Sequence, residues 1–137
     1  MLQFYFLSVL LNAITGMILT FTDKDNPDFV SPVRMPALSY DETFRLVVGV
    51  LTAITGFFKL LTAIQGDVPV IGDIVPALAG LAGGFTLLYE FYRLRSEVET
   101  ESLPRLVRKI MSSKRYVGMA CLIAAGLHFL FPNVLLL

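Results

Sequence analysis

Four long apolar segments divide this chain, at roughly Leu2–Phe21, Phe44–Ile64, Ile74–Tyr92 and Tyr116–Phe131. Each runs about 16 to 21 residues, and a helix rising 1.5 Å per residue needs roughly 20 to cross about 30 Å of hydrocarbon. Nearly everything else is short connector. Of 137 residues 55% are hydrophobic and the mean hydropathy is +0.72, above the roughly 45–50% apolar content usual for soluble domains. The excess sits in blocks and not at scattered core positions. The pattern predicts an all-α, polytopic four-helix bundle, with residues 1–137 forming one membrane domain.

The same composition excludes several functions. Eleven basic and eleven acidic residues cancel, so no net charge draws the chain to nucleic acid. Cys121 is the only cysteine and His128 the only histidine. An intramolecular disulfide and a multi-cysteine or multi-histidine metal site are therefore excluded. No phosphate loop, nucleophile elbow or HExxH pattern occurs, and no residue is assigned a catalytic role. No lysine or arginine precedes Lys24, and no small-x-small site closes the first segment. It reads as a retained span and not a cleaved signal.

Lysine and arginine in the connectors set the expected orientation. The connector at 22–43 carries Lys24 and Arg34, and the one at 93–115 is rich in both residue types. The middle turn at 65–73 has neither. With four spans, the two basic connectors share one side, the cytoplasm, and both termini face outward. A bacterial cytoplasmic membrane is the expected setting. Asp41 or Thr43 can cap the second helix. Asp73 can cap the third, leaving Pro76 in its first turn and Gly66–Gly72 as an outer turn. Pro132 is placed to end the fourth.

Within the third connector, Leu103, Leu106, Val107, Ile110 and Met111 recur at helical spacing, with Arg105, Arg108 and Lys109 on the other face. This predicts a short amphipathic helix at about 103–112, Ser102 ahead of it as N-cap, lying on the lipid bilayer with its cations at the head groups. A hairpin resting on the bundle's own loops is the alternative.

Small residues mark helix contacts: Gly49 with Ala53, Gly80 with Gly84, and Ala120 with Ala124. Where lipid supplies no hydrophobic drive, close backbone approach does the packing. Packing inside the bundle is the first reading, and a homo-oligomer or partner interface is the second. The word LNAITG at 11–16 returns as LTAITG at 51–56, either a duplicated repeat or convergence on common membrane-helix residues.

Polar groups at membrane depth are the candidate site because hydrocarbon makes them costly. Asn12 and His128 both fall well inside their segments and, with Thr55, could line one polar pocket. An interhelical hydrogen bond is the simpler role. Arg45 and Glu90 should meet near the cytoplasmic boundary as an ion pair. Lys59, toward the outer end, has Asp67 and Asp73 as expected partners, or else binds a ligand.

The stretch Arg45-Leu-Val-Val-Gly49, followed by Thr55-Gly56-Phe57-Phe58-Lys59-Leu60, resembles the opening helix of the DoxX-like membrane proteins. The glycine-rich run at 79–88 is similar to their second helix. The resemblance covers roughly residues 44–131 and departs from the family in a full extra helix ahead of Arg45 and a long basic connector before the last span. It implies a small four-helix inner-membrane protein, sometimes an accessory or quinone-linked subunit of a redox system. It marks Arg45, Gly49, Gly56 and Lys59 as motif positions only. Three functions follow as expectations. The first is a structural or accessory subunit without cofactor, docking to other membrane subunits through its glycine faces. The second is a quinone-associated redox subunit, and the third a small transporter or channel component.

Overall fold

The computed structural model describes residues 2–22, 30–64, 70–96 and 103–131. Among them all regular structure is helical: α1 Leu2–Phe21, a 3-10 turn Ala37–Tyr40, α2 Glu42–Ile64, α3 Val70–Arg95, α4 Arg105–Ser112 and α5 Lys114–Leu130. Three of these, α1, α2 and α3, are long and apolar enough to cross a membrane. α5 has 17 residues.

The helix boundaries follow from local chemistry, with three departures from expectation. Asp41 caps α2, its Oδ1 accepting from the Phe44 N–H at 2.8 Å. The preceding 3-10 turn was not expected in what reads as a loop. α3 begins at Val70, so Asp73 is not its cap and Pro76 lies inside the helix. Apolar Val70 and Ile71 extend the helix backward, and Pro76 then withholds one N–H from the ladder. α4 starts behind Pro104, which offers no side-chain cap. The expected cap, Ser102, lies outside the described residues. α5 stops at Phe131, whose φ of −127° and ψ of 65° leave the helical region, as the residue before a proline prefers. Pro132 itself is not among the described residues.

α1, α2, α3 and α5 run alternately up and down and pack side by side. α2 lies against α3 and α1 against α5, with α1 and α3 also in contact. Glycines set the close approaches. A Cβ on Gly84 would sit 2.7 Å from the Ala53 nitrogen and 2.8 Å from the Gly49 carbonyl. One on Gly56 would meet the Ala77 carbonyl at 2.8 Å, and one on Gly16 the Gly118 carbonyl at 2.8 Å. Gly80 faces Asn12 and Thr52. These small residues are used up inside the bundle. Gly126 on α5 is the exception, since a Cβ there would meet nothing within 4 Å.

The interior is inverted relative to a soluble protein. Ile18, Leu19, Val48 and Leu87 form a small apolar cluster, yet buried polar side chains outnumber buried apolar ones among the described residues. Large apolar side chains such as Phe4, Phe57, Leu78, Ile123 and Phe129 point outward. A surface of this kind suits hydrocarbon and not water.

Candidate functional site

Two buried ionisable clusters lie at opposite ends of the four packed helices. At the first, Arg45 opens α2, Glu90 lies near the end of α3 and Lys114 opens α5; all three are no more than 8% exposed. Arg45 Nη2 donates to Glu90 Oε2, and Lys114 Nζ donates to Glu90 Oε1 at 3.2 Å. Arg45 Nη1 also donates to Thr22 Oγ1 at 2.7 Å and to the Ser39 carbonyl at 3.4 Å. The planar guanidinium thus ties the ends of α1 and the 3-10 turn to α3. Two cations share one carboxylate.

At the other end, Lys59 from α2 and His128 from α5 meet, Nζ to Nε2, at 2.8 Å. Tyr5 from α1 donates its hydroxyl to the His128 carbonyl. Its ring lies 4.6 Å from the imidazole and 5.8 Å from Lys59 Nζ, where the aromatic face favours the cation. Of the partners expected for Lys59, Asp67 and the side chain of Asp73 lie outside what is described.

Between the clusters the interior is threaded with hydroxyls. Thr52 donates to the Val48 carbonyl at 2.7 Å, so Thr15, 2.9 Å from it, is the donor in their contact. Asn12 Nδ2 donates to the Pro76 carbonyl at 3.0 Å. Thr55 donates to the Leu51 carbonyl at 2.8 Å. Asn12 and Thr55 line one crevice between α1, α2 and α3. His128 is not part of it. The three expected pocket residues therefore divide between two places. Tyr5, Thr22, Ser39 and Lys114 belong to the clusters and were not singled out in the sequence. Lys114 carried a signal in its charge but was counted with the connector.

On the outside, Arg105, Arg108 and Lys109 of α4 are exposed while Met111 is buried. α3 presents a row of rings: Phe85 is stacked on Tyr89 and Tyr89 is tilted against Tyr92, each pair with centroids 6.4 Å apart.

A helical chain with three helices long and apolar enough to cross a membrane, and with large apolar side chains turned outward, is a membrane protein in class. A family model for an uncharacterised family matches residues 1–128, and the chain belongs to that family. It is 36% identical, over the full length of both chains, to an uncharacterized protein of Treponema pallidum (strain Nichols). No solved structure matches the chain.

Proposed function

We propose that this is a four-span integral membrane protein, α1, α2, α3 and α5 crossing the bilayer, that serves as a structural or accessory subunit of a membrane assembly. In this reading α5 is the fourth span, since its 17 residues reach about 25 Å at 1.5 Å per residue and stand at the short end of known spans. The basic connectors face the cytoplasm of a bacterial cell, and α4 rests on the inner leaflet. A single cysteine introduced at Ser112, in a Cys121→Ser background, should resist an impermeant thiol reagent added to intact cells. Labelling from outside would invert this orientation.

The accessory role rests on the row Phe85, Tyr89 and Tyr92. Three rings at i, i+4 and i+7 form one ridge on a helix face, and aromatic side chains are enriched where protein surfaces meet. The Tyr89 and Tyr92 hydroxyls also gain from a partner more than from lipid. Extraction in a mild detergent should yield the chain within a larger assembly, and Phe85→Ala with Tyr89→Ala should release it. A monodisperse 15.2 kDa species from both proteins would defeat the role.

The DoxX-like, quinone-associated alternative draws on a different observation, the joining of buried Lys59 and His128 with half-buried Tyr5 in one polar group. Quinone copurifying in the same extract, and lost on His128→Ala, would favour it over the accessory role.

A further inference from the structure

We infer that α4 is a docking surface for anionic phospholipids, with Arg105, Arg108 and Lys109 as the cations that hold their head groups. The inference rests on the proposed place of α4 at the inner leaflet and adds the class of lipid it selects. All three cations are exposed, and none forms an ion pair among the described residues. No aspartate or glutamate occurs anywhere from Arg105 to the end of α5. At about 100° of turn per residue the three fall within roughly a third of the helix circumference. Leu106, Val107, Ile110 and Met111 fill the opposite side. The face therefore offers concentrated positive charge with no acid of its own to answer it.

The apolar side says where that charge is used. Met111 is buried against the bundle, Val107 and Ile110 are half-buried, and Leu106 is 70% exposed. A helix resting on the bundle's own loops would turn this whole side inward. Eight residues also make a marginal helix in water, so α4 gains from a surface that takes Leu106 into an apolar layer and meets the cations with anions. The boundary of an anionic leaflet does both. Its height is set independently. Only Ser113 separates α4 from α5, and Tyr116, in the first turn of α5, is 75% exposed. An exposed tyrosine at the end of a span favours the head-group level, and the single-residue link holds α4 there too.

The test places the full chain in phosphatidylcholine vesicles with a trace of spin-labelled phosphatidylglycerol or spin-labelled phosphatidylcholine. Electron paramagnetic resonance then reads the share of each label slowed at the protein. Phosphatidylglycerol should associate roughly fivefold more strongly, the effect of one basic side chain near a lipid anion. The preference should fade in about 1 M salt, where charges are screened beyond roughly 3 Å. Changing Arg105, Arg108 and Lys109 together to glutamine alters only exposed side chains and should abolish it. Arg34→Gln, an exposed cation of the other basic connector, should leave most of it. Equal association of the two lipids with the parent protein, a preference that survives the triple change, or an equal loss with Arg34→Gln would each overturn the inference. Both leaflets of the vesicle are alike, so an inverted orientation, which the label at Ser112 would reveal, does not alter this result and the two failures stay distinct.

Discussion

Replacing Glu90 by alanine should be among the most damaging single changes in this protein. The carboxylate is the shared acceptor of Arg45 and Lys114, all three buried. Removing one member of a buried ion pair typically costs about 3–5 kcal/mol, because the remaining charge stays desolvated. Here two cations would remain, facing each other. Glu90→Gln should be milder, since it keeps an acceptor, but it still leaves an excess positive charge. Denaturant-induced unfolding in detergent micelles measures both. If Glu90→Ala unfolds within about 1 kcal/mol of the parent, the range of an exposed pair, the cluster does not brace the fold. Arg45→Ala should be costly for a related reason, because it strips Thr22 and the Ser39 carbonyl of their common donor.

Gly84→Leu should separate α2 from α3. Even the first carbon of a side chain at Gly84 would fall 2.7–2.9 Å from Ala53 and Gly49, and two of those atoms are backbone that cannot rotate aside. Overpacking of this kind commonly costs about 1–3 kcal/mol for extra methylenes, and a leucine adds four carbons where one does not fit. Gly126 provides the control, since a Cβ there meets nothing within 4 Å. Gly126→Ala should be neutral or slightly stabilising, by up to about 1 kcal/mol, because alanine is the better helix former. Comparable losses at both sites would mean that helix contacts do not govern stability here.

The long apolar runs told the fold at the level of helices, because a helix in lipid must satisfy its own backbone and so advertises its length in composition. α1 was readable to the residue. α3 was not, because Gly72, Asp73 and Pro76 look like turn chemistry and yet sit within the helix. The Arg45–Glu90 contact was legible from the hairpin alone, since one opens and the other nearly closes adjacent antiparallel helices. The Lys59–His128 contact was not. It joins α2 to α5, which are far apart in sequence and run in the same direction, and nothing in either segment names the other. Tyr5 was hidden for the same reason, as one aromatic among many in an apolar run. Asn12 was marked by its cost in hydrocarbon, but only coordinates could show which half of its amide lacks a partner.

The two charged clusters have a mechanical meaning as well. Lys59 follows Arg45 by fourteen residues on α2, and His128 follows Lys114 by fourteen on α5. Both intervals are about 21 Å at 1.5 Å per residue, so the two helices are pinned at equal heights, like rungs between parallel rails. Neither can slip by a turn without breaking a buried contact at each end. A bilayer thicker or thinner than this fixed frame cannot be matched by helices shifting singly. The whole unit must tilt, or the lipid around it must stretch or thin. In the four-span reading proposed above, the frame keeps one apolar height whatever the lipid around it.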